Sequence, residues 1–285
     1  MMDGAEPAPR QHYGVTLALL TVAGVSFAVM QTLVVPALPF FQREFDTTAS
    51  WATWIATGFL LSSSVLTPIL GKLGDAYGKK RMLVISLAIF GLASLAAAGA
   101  WNLASLVVCR VLQGAGAAVF PLSFGIIRDE FPPEKIGLGI GTVSSVFGAG
   151  GGMGLGLSGV IIEHLSWHWL FLIGAVPVLG ATVLLALFVP ESPVKFPTKP
   201  DYLGALSLSL ALGSLLLGIS EGSHWGWTSA GVMALFAISA VMFYVWAVIE
   251  KRVPEPMVDL RTFACREMAA TNLTTLVMGF SMFST

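Results

Sequence analysis

Charged residues are scarce in this chain. Only 11% of its 285 residues are Asp, Glu, Lys or Arg, whereas 55% are hydrophobic and the mean hydropathy is +0.82. A soluble domain carries about 25% charged residues. The uncharged residues come in runs of roughly twenty, which is the length that a helix needs to cross ~30 Å of hydrocarbon. The composition excludes a soluble globular domain and predicts an all-α integral membrane protein.

Residues for catalysis and metal binding are also few. Cys109 and Cys265 lie in or beside apolar runs and indicate neither a disulfide framework nor a zinc site. The sequence contains no HExxH, no CxxC and no glycine-rich loop with P-loop spacing. His164, His168 and His224 lie near the predicted ends of spans, where interfacial roles are expected. We therefore expect no enzyme, no cofactor, no metal site and no nucleic-acid partner.

Nine apolar runs are the predicted membrane spans. Ser50 is the predicted N-cap of the second span. Thirteen of the fifteen Lys and Arg residues fall in loops on one side of these runs, and only Arg43 falls on the other. Basic loops stay in the cytoplasm, so we predict a multi-pass protein of the cell (plasma or inner) membrane, embedded in the lipid bilayer, with a cytoplasmic N-terminus. The spans cover residues 14–38, 51–71, 81–100, 104–127, 137–161, 166–189, 202–220, 229–249 and a ninth opening near 269.

The charged stretches divide the spans into segments. A tail of residues 1–13 precedes an N-terminal six-helix bundle at 14–190, and a linker at 191–201 leads to a two-span pair at 202–249. A cytoplasmic loop at 250–268 leads to the start of a further bundle at 269–285. The ninth run stops at Thr285 without a flanking polar anchor. We expect this chain to be the N-terminal part of a longer protein.

One charged residue, Arg110, lies well inside a predicted span. Gln113 follows three residues later and shares its helix face, and Gly114 with Ala118 forms a pair of small residues that permits close helix approach. Charged groups in hydrocarbon are costly and are usually functional. Two interpretations remain open: a buried cation that faces a cavity, where it holds an anion or influences a carboxyl group, and a structural Arg that binds loop carbonyls.

The fifth run is rich in glycine. Such patterns indicate either a very close helix contact or a helix that bends during function. Two stripes repeat at every fourth position, Gly148, Gly152 and Gly156 in one and Gly150, Gly154 and Ser158 in the other, and Gly159 follows.

Two stretches resemble motifs of the major facilitator superfamily. The stretch GKLGDAYGKKR (residues 71–81) is similar to the hallmark loop between the second and third spans, and RVLQGAGAA is similar to the fourth-span motif. The resemblance implies a bundle of two inverted three-helix repeats and a secondary active transporter. The matching residues are Gly71, Leu73, Asp75, Gly78, Lys79 and Lys80 in the loop, and Arg110, Gln113, Gly114 and Gly116 in the span.

Further stretches resemble the fourteen-span drug:proton antiporter branch of that superfamily. They are WATWIATGFLL, SWHWLFLIGAVP and DYLGALSLSL with GISEGSHWGW, the last resembling the span inserted between the two halves. This implies export of small lipophilic or amphiphilic drug-like compounds by alternating access, with protons as coupling ion and with a C-terminal bundle that this chain lacks. The residues that carry the inserted-span match are Asp201, Gly204, Glu221, Trp225, Gly226 and Trp227.

The resemblance also implies roles for particular residues. Asp75 would latch the two bundles in the outward-facing state, against the N-terminal end of a helix in the second bundle. Asp129 is a candidate partner for Lys79 or Lys80. The latch set is Gly71, Asp75, Gly78, Lys79, Lys80 and Asp129, and the cavity set is Met30, Gln31, Arg110 and Gln113.

One departure concerns the coupling ion. Met30 stands where this branch usually has Asp, and no span contains Asp, Glu or His near its middle. Since a proton carrier needs a group that changes charge within the membrane, this half is not expected to carry the proton.

Two other functions remain open. The chain could be a truncated, non-transporting membrane remnant that survives or binds another membrane protein. Alternatively, the full protein could take up a metabolite instead of exporting a drug.

Overall fold

The structure is a computed structural model that describes residues 13–191, 201–253 and 265–283, and no strand occurs in those ranges. Most of the predicted tail, of the linker at 191–201 and of the loop at 250–268 lies outside the described residues. The helices are α1 (Tyr13–Leu33), α2 (Leu38–Glu44), α3 (Ala49–Tyr77), α4 (Lys79–Ala98), α5 (Leu103–Gln113), α6 (Val119–Glu130), α7 (Pro133–His164), α8 (Trp169–Phe188), α9 (Tyr202–Trp225), α10 (Ala230–Arg252) and α11 (Arg266–Phe283), with a 3₁₀ helix at Gly114–Ala118.

Eight spans within the described residues are long and apolar enough to cross a membrane: α1, α3, α4, α5 with α6, α7, α8, α9 and α10. They confirm the all-α membrane fold and correspond to the first eight predicted spans. α11 occupies the position of the predicted ninth. The first span was predicted to end at residue 38, which is too far. α1 ends at Leu33, because Pro36 cannot continue a helix and the chain turns between Leu33 and α2.

The second span differs from its prediction at both ends. Thr48, not Ser50, caps α3, since its hydroxyl accepts the backbone N–H of Trp51 at 3.4 Å. α3 then runs to Tyr77, six residues beyond the predicted end at 71, and stops at Gly78. Gly78 has φ +116°, a conformation that residues with a Cβ rarely adopt, so α4 starts directly after a sharp turn.

The first six spans form one bundle whose helix contacts occur in matched pairs. The contact of α1 with α7 corresponds to that of α5 with α3, and the contact of α1 with α8 corresponds to that of α5 with α4. The contact between α4 and α8 corresponds to itself. This pattern is typical of two three-span repeats related by a pseudo-twofold axis. Phe27 of α1 lies at the centre of the core, with its ring centroid 5.0 Å from that of Phe90 and 6.2 Å from that of Phe59.

The last two complete spans form a hairpin beside this bundle. α9 packs mainly on α10 and also along α3. The hydroxyl oxygens of Thr57 and Ser220 lie 3.4 Å apart across the contact between α3 and α9. The hairpin is therefore attached to the bundle through α3.

Candidate functional site

A cluster of charges joins three spans at the predicted cytoplasmic end of the bundle. The Lys79 ammonium Nζ lies 2.7 Å from Asp129 Oδ2 at the end of α6 and 3.4 Å from Asp75 Oδ1 at the end of α3. The side chains of Lys79 and Asp129 are each 10% exposed, whereas that of Asp75 is 46% exposed. The cation is thus shared between a buried carboxylate within the bundle and an accessible one at its surface.

The aliphatic part of the Lys79 side chain passes close to Gly125 of α6 on its way to Asp129. A Cβ at Gly125 of α6 would lie 2.7 Å from Lys79 Cδ. A larger residue there would force the Lys79 side chain to shift. At Gly71, by contrast, no atom of the described residues lies within 4 Å of where a Cβ would be, so this member of the predicted latch set makes no close approach to them.

A fourth span joins the cluster through Glu191, which follows α8. Its carboxylate accepts the backbone N–H of Lys80 at 3.1 Å and that of Arg81 at 3.2 Å, in the first turn of α4. A Cβ at Gly78 would lie 2.6 Å from this carboxyl group, so the turn needs glycine for space as well as for its φ. Lys80 Nζ in turn donates to the carbonyl of Ala186 at 2.8 Å.

Sequence reasoning did not single out Glu191. Two signals point to it: the first turn of α4 contains no acidic residue of its own, and an acid directly follows the sixth span on the same side of the membrane. Helix N-termini favour a carboxylate because their first N–H groups lack partners and carry positive partial charge.

Arg110 lies in a second polar cluster, within the core. The residue is 1% exposed. Its Nε donates to the carbonyl of Ile55 in α3 at 3.0 Å, its Nη1 donates to Gln113 Oε1 at 2.6 Å, and its Cζ lies 4.5 Å from the ring centroid of Phe59. Gln113 Nε2 donates to Ser94 Oγ of α4 at 3.0 Å. The network links the second, third and fourth spans.

These contacts can be compared with the two interpretations of Arg110, a cation that faces a cavity and a structural Arg that binds loop carbonyls. Its carbonyl partner is inside a helix and not in a loop. Within the described part of the chain, no carboxylate pairs with the guanidinium. In this conformation Arg110 and Gln113 bond to each other and to neighbouring helices and do not border open space, and their role in binding or coupling stays a prediction.

The other two predicted cavity residues lie on α1. Met30 is fully buried, and a Cβ at Gly174 of α8 would lie 2.7 Å from Met30 Cβ. It therefore fills the contact between α1 and α8 in this conformation. Gln31, the next residue, is half-buried.

The two glycine stripes lie on different sides of α7. Gly150 and Gly154 touch α1: a Cβ at Gly150 would lie 2.6 Å from Ala28 Cβ, and one at Gly154 would overlap Thr32. Ser158 completes this stripe by donating to the carbonyl of Leu33 at 2.7 Å. Among the described residues nothing lies within 4 Å of a Cβ at Gly148, Gly152, Gly156 or Gly159, so the choice between close packing and bending for these glycines stays a prediction. Stripes offset by two residues point about 200° apart on a helix.

Gly114 lies at a close contact between helices, as the pair of small residues Gly114 and Ala118 predicted. A Cβ there would overlap Ser62 of α3 and lie 2.7 Å from the Ser63 backbone nitrogen. The fourth span is a 3₁₀ helix at this point, from Gly114 to Ala118, and not a continuous α-helix.

Comparisons with known proteins agree with this architecture. The family model of the Major Facilitator Superfamily matches residues 20–283. The tetracenomycin C resistance and export protein of Streptomyces glaucescens is 30% identical over 93% of this chain and 50% of its own length. Multidrug resistance protein 3 of Bacillus subtilis is 32% identical over 79% of this chain and 44% of its own. The chain thus spans about half the length of these curated relatives.

Solved structures show the same fold at low sequence identity. The human organic anion transporter MFSD10 (TETRAN) superposes with a TM-score of 0.59 at 13% identity, over 84% of this chain and 72% of that one. A bacterial homologue of the human lysosomal transporter Spinster, in an inward-facing and occupied conformation, gives a TM-score of 0.52 at 18% identity, over 88% and 64%.

Proposed function

Since this chain belongs to the Major Facilitator Superfamily, we propose that it is the N-terminal part of an exporter of lipophilic or amphiphilic compounds that works by alternating access. In this proposal the whole protein belongs to the fourteen-span drug:proton antiporter branch and lies in the cell membrane with a cytoplasmic N-terminus. In it a second helix bundle completes the transporter. The names of the relatives, a resistance and export protein and a multidrug resistance protein, favour export over uptake.

The observation that carries the proposal is the division of charge around Lys79. Asp129 holds the ammonium at 2.7 Å and is buried, so the cluster stays fixed within the bundle. Asp75 remains 46% exposed and only 3.4 Å from the same ammonium. A carboxylate held in this way is available to a helix N-terminus of a second bundle, where such ends favour negative charge. It can engage and release a partner without dismantling the bundle.

The free face of α7 supports the same mechanism. A Cβ at Gly148, Gly152 or Gly156 would meet no atom of the described residues within 4 Å, so this side of α7 is open. Small residues on a helix face allow another helix to approach closely. This face is a suitable surface for the second bundle to rock against.

Proton coupling through this half is not part of the proposal. The described acidic residues lie near the ends of the spans, and the first-span position where the branch usually has Asp is the buried Met30. If the whole protein exchanges protons, the titrating group lies in the second bundle.

Flux measurements on the full-length protein test the proposal. Liposomes that contain the purified protein are given a proton gradient and a lipophilic fluorescent dye, with protein-free liposomes as the blank. We expect gradient-dependent dye flux, and in oriented vesicles movement from the cytoplasmic to the outer side. Flux in the reverse direction would favour an uptake transporter, and no flux of any lipophilic dye with a well-folded protein would favour the remnant.

A further inference from the structure

A cleft of about 280 Å³ lies between the predicted outer ends of α3 and α9. It is separate from the charge cluster around Lys79, which lies at the opposite end of α3. Ligand pockets for whole drug-sized molecules measure about 300–1,000 Å³, so this cleft fits a head group or a small ligand. Its lining residues are Ser50, Trp51, Trp54, Glu221, His224 and Trp225.

The first turns of α3 supply one wall. Thr48 caps the helix by accepting the backbone N–H of Trp51, and this bond fixes the position of Trp51 in the first turn. Trp51 and Trp54 are three residues apart and therefore lie on the same helix face. The bond between Thr57 and Ser220 holds α3 and α9 together one turn deeper.

The last turn of α9 supplies the other wall. Glu221, His224 and Trp225 are spaced i, i+3 and i+4, so they share a face. Gly226 has φ +86° and ends the helix directly after Trp225. The chain then returns as α10, where a Cβ at Gly231 would lie 3.0 Å from the Trp225 ring. The ring is thus held between the helix end and the start of α10.

Glu221 gives the cleft its charge. The residue is only 6% exposed, and among the described residues no hydrogen bond or ion pair reaches its carboxylate. A buried carboxylate is costly unless a cation or hydrogen-bond donors compensate it. A positively charged ligand in the cleft would therefore stabilise the ionised form of Glu221.

The remaining lining favours an organic cation over a metal ion. Metal ions need several N, O or S ligands, whereas no group of three His, Cys, Asp or Glu suited to a metal occurs in the part of the chain that the structure describes. Indole rings attract cations through their faces, and alkylated ammonium groups bound by aromatic cages are the established example of this contact. Three of the six lining residues are tryptophans.

We propose that this cleft binds organic cations with an alkylated ammonium head, with Glu221 as the counter-ion and Trp51, Trp54 and Trp225 as the aromatic walls. The cleft is accessible, since Trp51 is 62% and Trp225 is 53% exposed. The ammonium comes from one of two sources at the membrane surface, a soluble cation or the choline head group of a lipid. The site lies outside the bundle core and does not depend on the transport activity proposed above.

Binding of choline by the purified full-length protein tests the site. The protein is kept in dodecyl maltoside, which has no ammonium group, without any ion gradient, and choline is titrated by calorimetry and by tryptophan fluorescence. We expect choline to bind and its uncharged isostere 3,3-dimethyl-1-butanol to bind at least about tenfold more weakly, a difference of ~1.4 kcal/mol.

Matched variants locate the binding. Glu221→Gln keeps the shape and removes the charge, and we expect it to weaken choline binding about tenfold. Glu163→Gln removes an exposed carboxylate at the same predicted level on α7 and should leave the affinity unchanged. Trp54→Leu should weaken binding about fivefold through loss of a cation–π contact, whereas Trp101→Leu, at a position 83% exposed, should have no effect.

Two lipid compositions distinguish the sources of the ammonium. The choline titration is repeated in nanodiscs of phosphatidylglycerol alone and in nanodiscs that also contain phosphatidylcholine. A lower apparent affinity in the second set identifies the lipid head group as an occupant, and equal affinities identify a soluble cation. No binding of choline, equal binding of the isostere, or undiminished binding by Glu221→Gln would overturn the site. Since none of these readouts requires flux, failure of the transport proposal is a separate result.

Discussion

The carboxylate of Glu191 accepts the backbone N–H of Lys80, 111 residues earlier in the chain, at 3.1 Å. The contact joins the end of the sixth span to the start of the third. It satisfies N–H groups of the first turn of α4 that have no partner within the helix. The turn between α3 and α4 is therefore fixed by a residue that belongs to neither helix, and Asp75 and Lys79 lie on either side of it.

Replacing Glu191 with Ala should destabilise the bundle. Loss of a side chain that caps a helix costs about 0.5–2 kcal/mol. This lowers the melting temperature by about 2–4 °C per kcal/mol for a protein of this size. The measurement is thermal unfolding of the detergent-solubilised protein followed by tryptophan fluorescence. Glu44→Ala, an exposed acid at the predicted outer side, is the control. Equal melting temperatures for both variants would contradict the capping role.

The ion pair between Lys79 and Asp129 should show strong coupling in a double-mutant cycle. Removing one partner of a buried pair costs about 3–5 kcal/mol because the other charge stays buried. We therefore expect Asp129→Leu and Lys79→Met each to lower the free energy of unfolding by about 3 kcal/mol. The double variant should lose much less than the sum of the two. Additive losses in denaturant titrations would show that the two groups do not interact.

Asp75→Asn should impair turnover more than membrane insertion. Its carboxylate is 46% exposed, so removal of the charge changes little within the bundle but removes the group offered to the second bundle. We expect about a tenfold lower flux in the full-length protein, at an unchanged amount in the membrane. Asp46→Asn, an exposed acid on the other predicted side of the membrane, serves as the control. If flux and insertion fall equally, the latch is refuted.

The spans and the fold class were predictable, and the reasons are physical. Runs of about twenty apolar residues have few alternatives to a spanning helix, because the bilayer offers backbone groups no other partner. Helix ends were less predictable. The early end of α1 follows from Pro36 alone, but the extension of α3 to Tyr77 depends on a turn that Glu191 stabilises from another helix. Such long-range contacts leave no local signal.

The candidate site was predictable only as a set of residues. The loop motif identified Lys79 and Lys80, and Asp129 at the end of the fourth span was a candidate partner for either, yet only the structure shows which acid is buried and which is exposed. The glycine stripes of α7 could not be assigned from spacing, since both have the same period. Which of them faces α1 is a property of the packed bundle.

The two sides of α7 should respond oppositely to Gly→Ala substitutions. A Cβ at Gly154 would overlap Thr32 and lie 2.5 Å from the carbonyl oxygen of Val29, a backbone atom. We expect Gly154→Ala to cost about 1–3 kcal/mol, because overpacking forces α1 and α7 apart. Among the described residues a Cβ at Gly152 has open space, so in this chain alone, without a second bundle, Gly152→Ala should stabilise the helix by about 0.4–1 kcal/mol. Thermal unfolding of the two variants compares them directly, and a loss at Gly152 would place another segment against this face.

Arg110 is a buried cation for which the described residues provide no carboxylate partner. Its partners, the Ile55 carbonyl, Gln113 and the Phe59 ring, are neutral and compensate its desolvation only in part. Replacing buried charged networks by apolar residues of similar size is often neutral or stabilising by about 1–4 kcal/mol. If Arg110 acts in transport, the double variant Arg110→Met with Gln113→Leu should keep or raise the melting temperature while flux in the full-length protein falls about tenfold or more. A double variant that melts well below the natural protein would show that Arg110 stabilises the packing of the second, third and fourth spans. A structural role would then explain its presence without a role in transport.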